Sequence, residues 1–175
     1  QITRMLESQG IKLDQQLLKD FADETVLAYD TNAADAFRRA LSWIDVVFRT
    51  FKGRLREETS PVHLFPHHLD IAMNWFSGRL IPGVDPDDEE SADEQMNFGF
   101  VTGDNSIDEA YFYATAYPVP KHWGNQDLPQ GAYWHTEGWI GAILPYAVLT
   151  ESDDPQALLL EFLQRTQRHG SSLMT

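Results

Sequence analysis

The spacing of apolar residues changes period twice along this chain, and a fold must bury each pattern on its own terms. Phe37, Leu41, Ile44, Phe48 and Phe51 step by four, three, four and three, the rhythm of one helix face. Asp30 or Thr31 can cap that helix, and Gly53 stands where a left-handed residue would close it. From Ser60 the rhythm becomes alternation: Leu69, Ile71, Met73 and Trp75 interleave with Asp70, Ala72, Asn74 and Phe76 up to the turn at Ser77-Gly78. Met96, Phe98 and Phe100 repeat the pattern before Thr102-Gly103-Asp104-Asn105. A third strand fits Glu109 to Tyr117, and a pair of short ones runs from Ala132 through Trp139 to Leu144. The helical period then returns with Leu158, Leu159, Phe162 and Leu163, opened by Asp154 and Pro155 and closed, on this reading, at Gly170.

Upstream, Ile2, Met5 and Leu6, then Leu13, Leu17, Leu18 and Phe21, predict two short helical pieces broken at Gly10. Helices before and after a run of strands predict an α+β domain over residues 1–175. It would hold an antiparallel sheet of four to five strands with the N-terminal and C-terminal helices packed on one face. The helices fall at about 1–53, the strands at about 69–144 and the last helix at about 155–169.

Seven acids crowd between Asp85 and Glu94, in a stretch that reads as a solvated loop between strands. It fails as a calcium loop, because Glu90 stands sixth, where glycine is needed, and Met96 twelfth, where glutamate is needed. The net charge of −14, from 13 basic against 27 acidic residues, sets the chain against nucleic acid. No run approaches the length of apolar residues that a membrane span requires. Cysteine is absent, which removes disulfides and thiolate chemistry and fits a cytoplasmic, soluble protein. With Gln1 in first place, the sequence reads as a piece of a longer chain.

The densest polar cluster is Ser60-Pro61-Val62-His63-Leu64-Phe65-Pro66-His67-His68-Leu69-Asp70. Imidazole and carboxylate suit zinc, iron or manganese, so His63, His68 and Asp70 are the metal candidates, with His122, His135 or Glu137 as further ligands. The competing reading makes these histidines rim residues bonded to backbone, since no HExxH-type signature is matched. A second grouping, Tyr133-Trp134-His135-Thr136-Glu137 after Lys121-His122-Trp123, could pair an imidazole with a carboxylate or simply fill a strand with aromatics. Neither a Gly-x-Ser-x-Gly setting nor a Walker A or Gly-x-Gly-x-x-Gly pattern occurs.

The stretch SPVHLFPHHLDIAMNWFSGR at 60–79, with FYATAYPVP at 112–120, LPY at 144–146 and DPQALLLEFLQRT at 154–166, resembles an uncharacterised bacterial family of unknown function. Members are usually longer at the N-terminus, so the resemblance implies that this chain is a C-terminal half. It departs at Pro66-His67-His68, where the family commonly has Trp and then small residues, while His63, Asp70, Ser77 and Arg79 fit the pattern. The resemblance implies no activity, cofactor or oligomeric state.

Two functions remain open. One is a soluble structural domain or one that binds a small molecule, with His63, Asp70, Arg79, Trp75, Trp123 and His135 as ligand-binding candidates. Phe65, Trp75, Tyr113, Trp123 and Trp134 would line its aromatic surface. The other is a metal- or His-dependent enzyme around His63, His68 and Asp70.

Overall fold

A computed structural model of the chain describes Ser8 and residues 29–66, 69–88 and 91–174. The chain divides into two compact units, Gln1–Ala36 and Phe37–Thr175. The helical pieces expected over 1–23 lie outside the described residues, apart from Ser8, which is helical. Asp30 Oδ1 accepts the amides of Asn32 at 2.8 Å and Ala33 at 3.1 Å, capping helix α1, Thr31–Lys52. The helix stops without the left-handed residue expected at Gly53, whose amide donates to Arg49 O at 2.9 Å as an ordinary helical turn would.

In the second unit, six strands among the described residues form one antiparallel sheet. They are β1 His63–Phe65, β2 Asp70–Leu80, β3 Asp93–Val101, β4 Tyr111–Tyr117, β5 Tyr133–His135 and β6 Gly141–Pro145, in the order β1-β2-β3-β4-β6-β5. The count exceeds the expected four to five because β1 is three residues long, too short for alternation to reveal. The short helix α2, Tyr146–Thr150, was also hidden in the sequence, while α3, Pro155–Leu173, begins as expected with Asp154 Oδ1 accepting the Ala157 amide at 2.9 Å.

Helix α3 does not end at Gly170. That glycine is buried inside it, where a Cβ would collide with the Met96 thioether on β3 and press on the Trp123 indole. A lone glycine reads as a stop, but here it is the point where helix and sheet approach most closely, and tertiary packing overrides propensity.

Alternation decides the two faces of the sheet. Met73, Phe98, Ala114, Ala142 and Trp134 are cross-strand partners on the face that meets the helices. Against them pack Ile44, Val47, Phe48 and Phe51 of α1 and Leu159, Phe162 and Leu163 of α3, in one core. Phe51 meets Phe98 edge to face at 5.1 Å, and Phe48 lies 6.5 Å from Phe112.

The acidic stretch is shorter as a loop than expected. Asp93 and Glu94 belong to β3, and Glu94 is buried, its carboxylate accepting from Arg79 Nη2 at 2.6 Å. The same nitrogen donates to Met174 O at 2.9 Å, so Arg79 ties the chain beyond α3 to the end of β2. No helix of the described residues is long and apolar enough to cross a membrane.

Phe48 is fully buried between α1 and the sheet, so Phe48→Ala should cost about 3–5 kcal/mol of stability. Denaturant unfolding checks this, and a midpoint that does not move would contradict the packing.

Candidate functional site

The other set of alternating side chains faces away from α1 and α3. One row runs Ala72, Gly99, Tyr113, Ile143, Tyr133 across β2, β3, β4, β6 and β5, and the next runs Asn74, Asn97, Thr115, Gly141, His135. A side chain at position 99 would collide with the ring of Tyr113, so this glycine in mid-strand is a bed for that ring. The Tyr113 side chain thereby crosses β3 and donates its hydroxyl to Asp70 Oδ2 on β2 at 3.0 Å. Gly141 makes room for the ring of Trp139 in the same manner.

The β3–β4 connection folds back over this face. Ile107 is buried there with Val101, Tyr111 and Ile143, and Tyr113 and Trp139 pack against the group. Asp104 anchors the connection: its Oδ1 accepts the amides of Ser106 at 2.6 Å and Ile107 at 2.9 Å, and its Oδ2 accepts the Tyr111 hydroxyl at 2.6 Å. Two carboxylates thus each hold a tyrosine hydroxyl on one side of the sheet.

Between them lies a cavity of about 310 Å³, walled by Asp70, Asp104, Tyr111, Tyr113, Thr115 and Trp139. Asp70 Oδ1 is buried and has no hydrogen-bond partner among the described residues. A second hollow of about 530 Å³ shares Tyr113 and Thr115 and is polar, with Asn74, Gln95 and Asn97 on its floor. Those amides form a chain, Asn97 Nδ2 to Asn74 Oδ1 at 2.6 Å and Asn74 Nδ2 to Gln95 Oε1 at 3.0 Å, which leaves the buried Asn97 Oδ1 unpaired.

Burial, then the Asp70 charge and hydrogen bond, push the Tyr113 phenol far above its ordinary range. Burial and Asp104 do the same to Tyr111. For Asp104, burial opposes the charged form, but the Tyr111 hydroxyl and the Ile107 and Ser106 amides outweigh it, and the pKa falls.

With this geometry in view, comparison with known families gives one match: Family of unknown function (DUF5996), over residues 4–175. The chain belongs to this family. No curated protein and no solved structure matches it.

Within this DUF5996 chain the residues singled out in the sequence separate. His63 and Phe65 stand exposed on β1, where the register sets them opposite Ala72 and Asp70, on the same face as the cavity. Arg79 pairs with Glu94, not with Asp70, whose partner is Tyr113. His135 also faces this side, its ring 4.5 Å from that of Trp139 and its Nε2 2.8 Å from Glu137 O.

Trp75 and Trp123 lie on the opposite side, inside the core. Trp75 donates to Glu57 at 3.2 Å, and Trp123 meets Trp134 edge to face at 4.9 Å. The expected aromatic surface therefore does not form, because alternation sends Trp75 and Trp134 to one face and Tyr113 to the other. His68 lies outside the described residues, among which no three His, Asp or Glu side chains gather to hold a metal.

Asp104, Tyr111 and Trp139 were missed by sequence reasoning. For Trp139 the available signal was Gly141, which makes room for its ring as Gly99 does for that of Tyr113.

Because the folded state holds the Tyr113 proton more tightly than the unfolded state, its contribution to stability is complete below about pH 10 and is lost as pH rises beyond that. Urea midpoints measured at about pH 8 and about pH 10.5 should fall more steeply for the parent than for Tyr113→Phe. Equal slopes would place the phenol in solvent.

Proposed function

We propose that this chain is a ligand-binding domain and that its ligand docks in the cavity between Asp70, Tyr113 and Trp139. The observation that carries the reading is the Asp70 carboxylate, which lines the cavity and whose buried Oδ1 has no partner among the described residues. An acceptor left so costs about 1–3 kcal/mol, which an incoming donor recovers. The cavity volume of about 310 Å³ suits a small molecule, and aromatic walls with a few polar groups are the usual composition of such sites. With no cysteine and a charge of −14, we take the domain to be soluble and cytoplasmic, to belong to a bacterial protein and to avoid nucleic acid.

A metal- or His-dependent enzyme around His63, His68 and Asp70 is the second reading. It is favoured by the β1–β2 register, which sets His63 and Asp70 diagonally on one face. Elemental analysis separates the two, since stoichiometric zinc, iron or manganese in the purified protein would support the enzyme.

The binding reading is tested by titrating the isotope-labelled chain with a set of small amines, alcohols and carboxylic acids while recording amide and indole resonances. Perturbations should concentrate at Asp70, Tyr113, Thr115 and the Trp139 indole. Shifts centred on Trp123, or none at concentrations of about 10 mM, well above a typical weak Kd, would overturn it.

A further inference from the structure

We infer that the ligand is an organic ammonium ion, its nitrogen drawn to the Asp70 carboxylate and its apolar body against the rings of Tyr111, Tyr113 and Trp139. The inference rests on the binding reading of this cavity and goes further by naming the charge and shape of what it takes.

Charge decides the class. Asp70 and Asp104 both line the cavity, and among the described residues neither a Lys nor an Arg does. Asp104 has spent its oxygens on the Ser106 and Ile107 amides and the Tyr111 hydroxyl, so it contributes field but no vacant acceptor. Asp70 has spent only Oδ2, on Tyr113. The two carboxylates of the lining together ask for a donor that is positive. An anionic ligand would meet like charge from Asp70 and Asp104, on a chain of net charge −14.

The walls decide the body. Three aromatic residues line the cavity with the carboxylates, and Tyr111 and Tyr113 are set edge to face at 6.3 Å. The faces of such rings attract a cation and its polarised CH groups. Trp139 is held over Gly141 and flanked by His135, and Tyr113 is held over Gly99, so the rings are positioned before any ligand arrives. Preorganised walls spend less binding energy on ordering.

The neighbouring hollow extends the match. It shares Tyr113 and Thr115 with the first, and its unpaired buried group, Asn97 Oδ1, is again an acceptor. A ligand with a hydroxyl or N–H arm beyond its ammonium head would extend it toward the amide side chains of this second hollow.

Three probes share one body and differ in the head: 2-phenylethylammonium, 2-phenylethanol and 2-phenylacetate. Each is titrated into the full chain at neutral pH, with the Trp139 indole resonance as the readout. The ammonium probe should bind about tenfold or more tightly than the alcohol, and the acetate should bind most weakly. Asp70→Asn should remove the advantage of the ammonium probe over the alcohol, and added salt should weaken the ammonium probe alone.

If the alcohol binds in the cavity as tightly as the ammonium, or if the acetate binds best, the inference of a cation fails while the binding reading stands. Should no probe perturb the cavity, both fail. The probe series is run on the unaltered chain, so the result holds even if Asp70→Asn does not fold.

Discussion

The hydrogen bond from Tyr113 to Asp70 is the interaction on which the working side of the sheet depends. It joins β4 to β2 over the top of β3, which is possible only because position 99 carries no side chain. The consequences spread outward from that crossing. The ring of Tyr113 becomes the partition between the two hollows, and the Asp70 carboxylate is held with one oxygen engaged and the other vacant. A tyrosine hydroxyl is an economical clamp for this purpose, since it fixes a carboxylate without neutralising it as an arginine would.

The two faces of the sheet divide the labour of the fold. One is filled by Phe48, Phe51, Phe162 and Leu163 from the helices and carries the bulk of the apolar burial. The other bears a small apolar patch around Ile107 and Ile143 and otherwise polar rows, Asn74 with Asn97 and Thr115 among them. Arg79 belongs to the frame, closing the sheet against Glu94 and the chain beyond α3 through Met174 O. The hydrophobic side supplies stability, which leaves the polar side able to keep buried acceptors unpaired, a cost that would be hard to bear in a thinner structure.

Much of this fold was legible in the sequence because periodicity reports burial directly. The α1 stripe, the Asp154-Pro155 start of α3 and the alternation of β2 and β3 follow from which residues must leave water. What could not be read depends on partners distant in sequence. His63–Phe65 is a strand only because β2 pairs with it, and Gly170 continues a helix only because Met96 and Trp123 crowd it. The site shows the same division. Asp70 stood out as a carboxylate in a polar cluster, but its partner lies 43 residues away. The tryptophans drew attention by size, yet Trp75 and Trp123 are buried at 2% and 0% exposure, doing what large aromatics most often do.

The central claim is that the sheet face bearing Asp70, Tyr113 and Trp139 receives a small organic cation. A crystal structure of the chain with 2-phenylethylammonium tests it most directly. The account predicts density lying against Trp139 and Tyr113, with the nitrogen within hydrogen-bond distance of the Asp70 carboxylate. A probe seated instead beside His63 on β1, or a cavity left vacant in crystals grown at saturating probe, would contradict it.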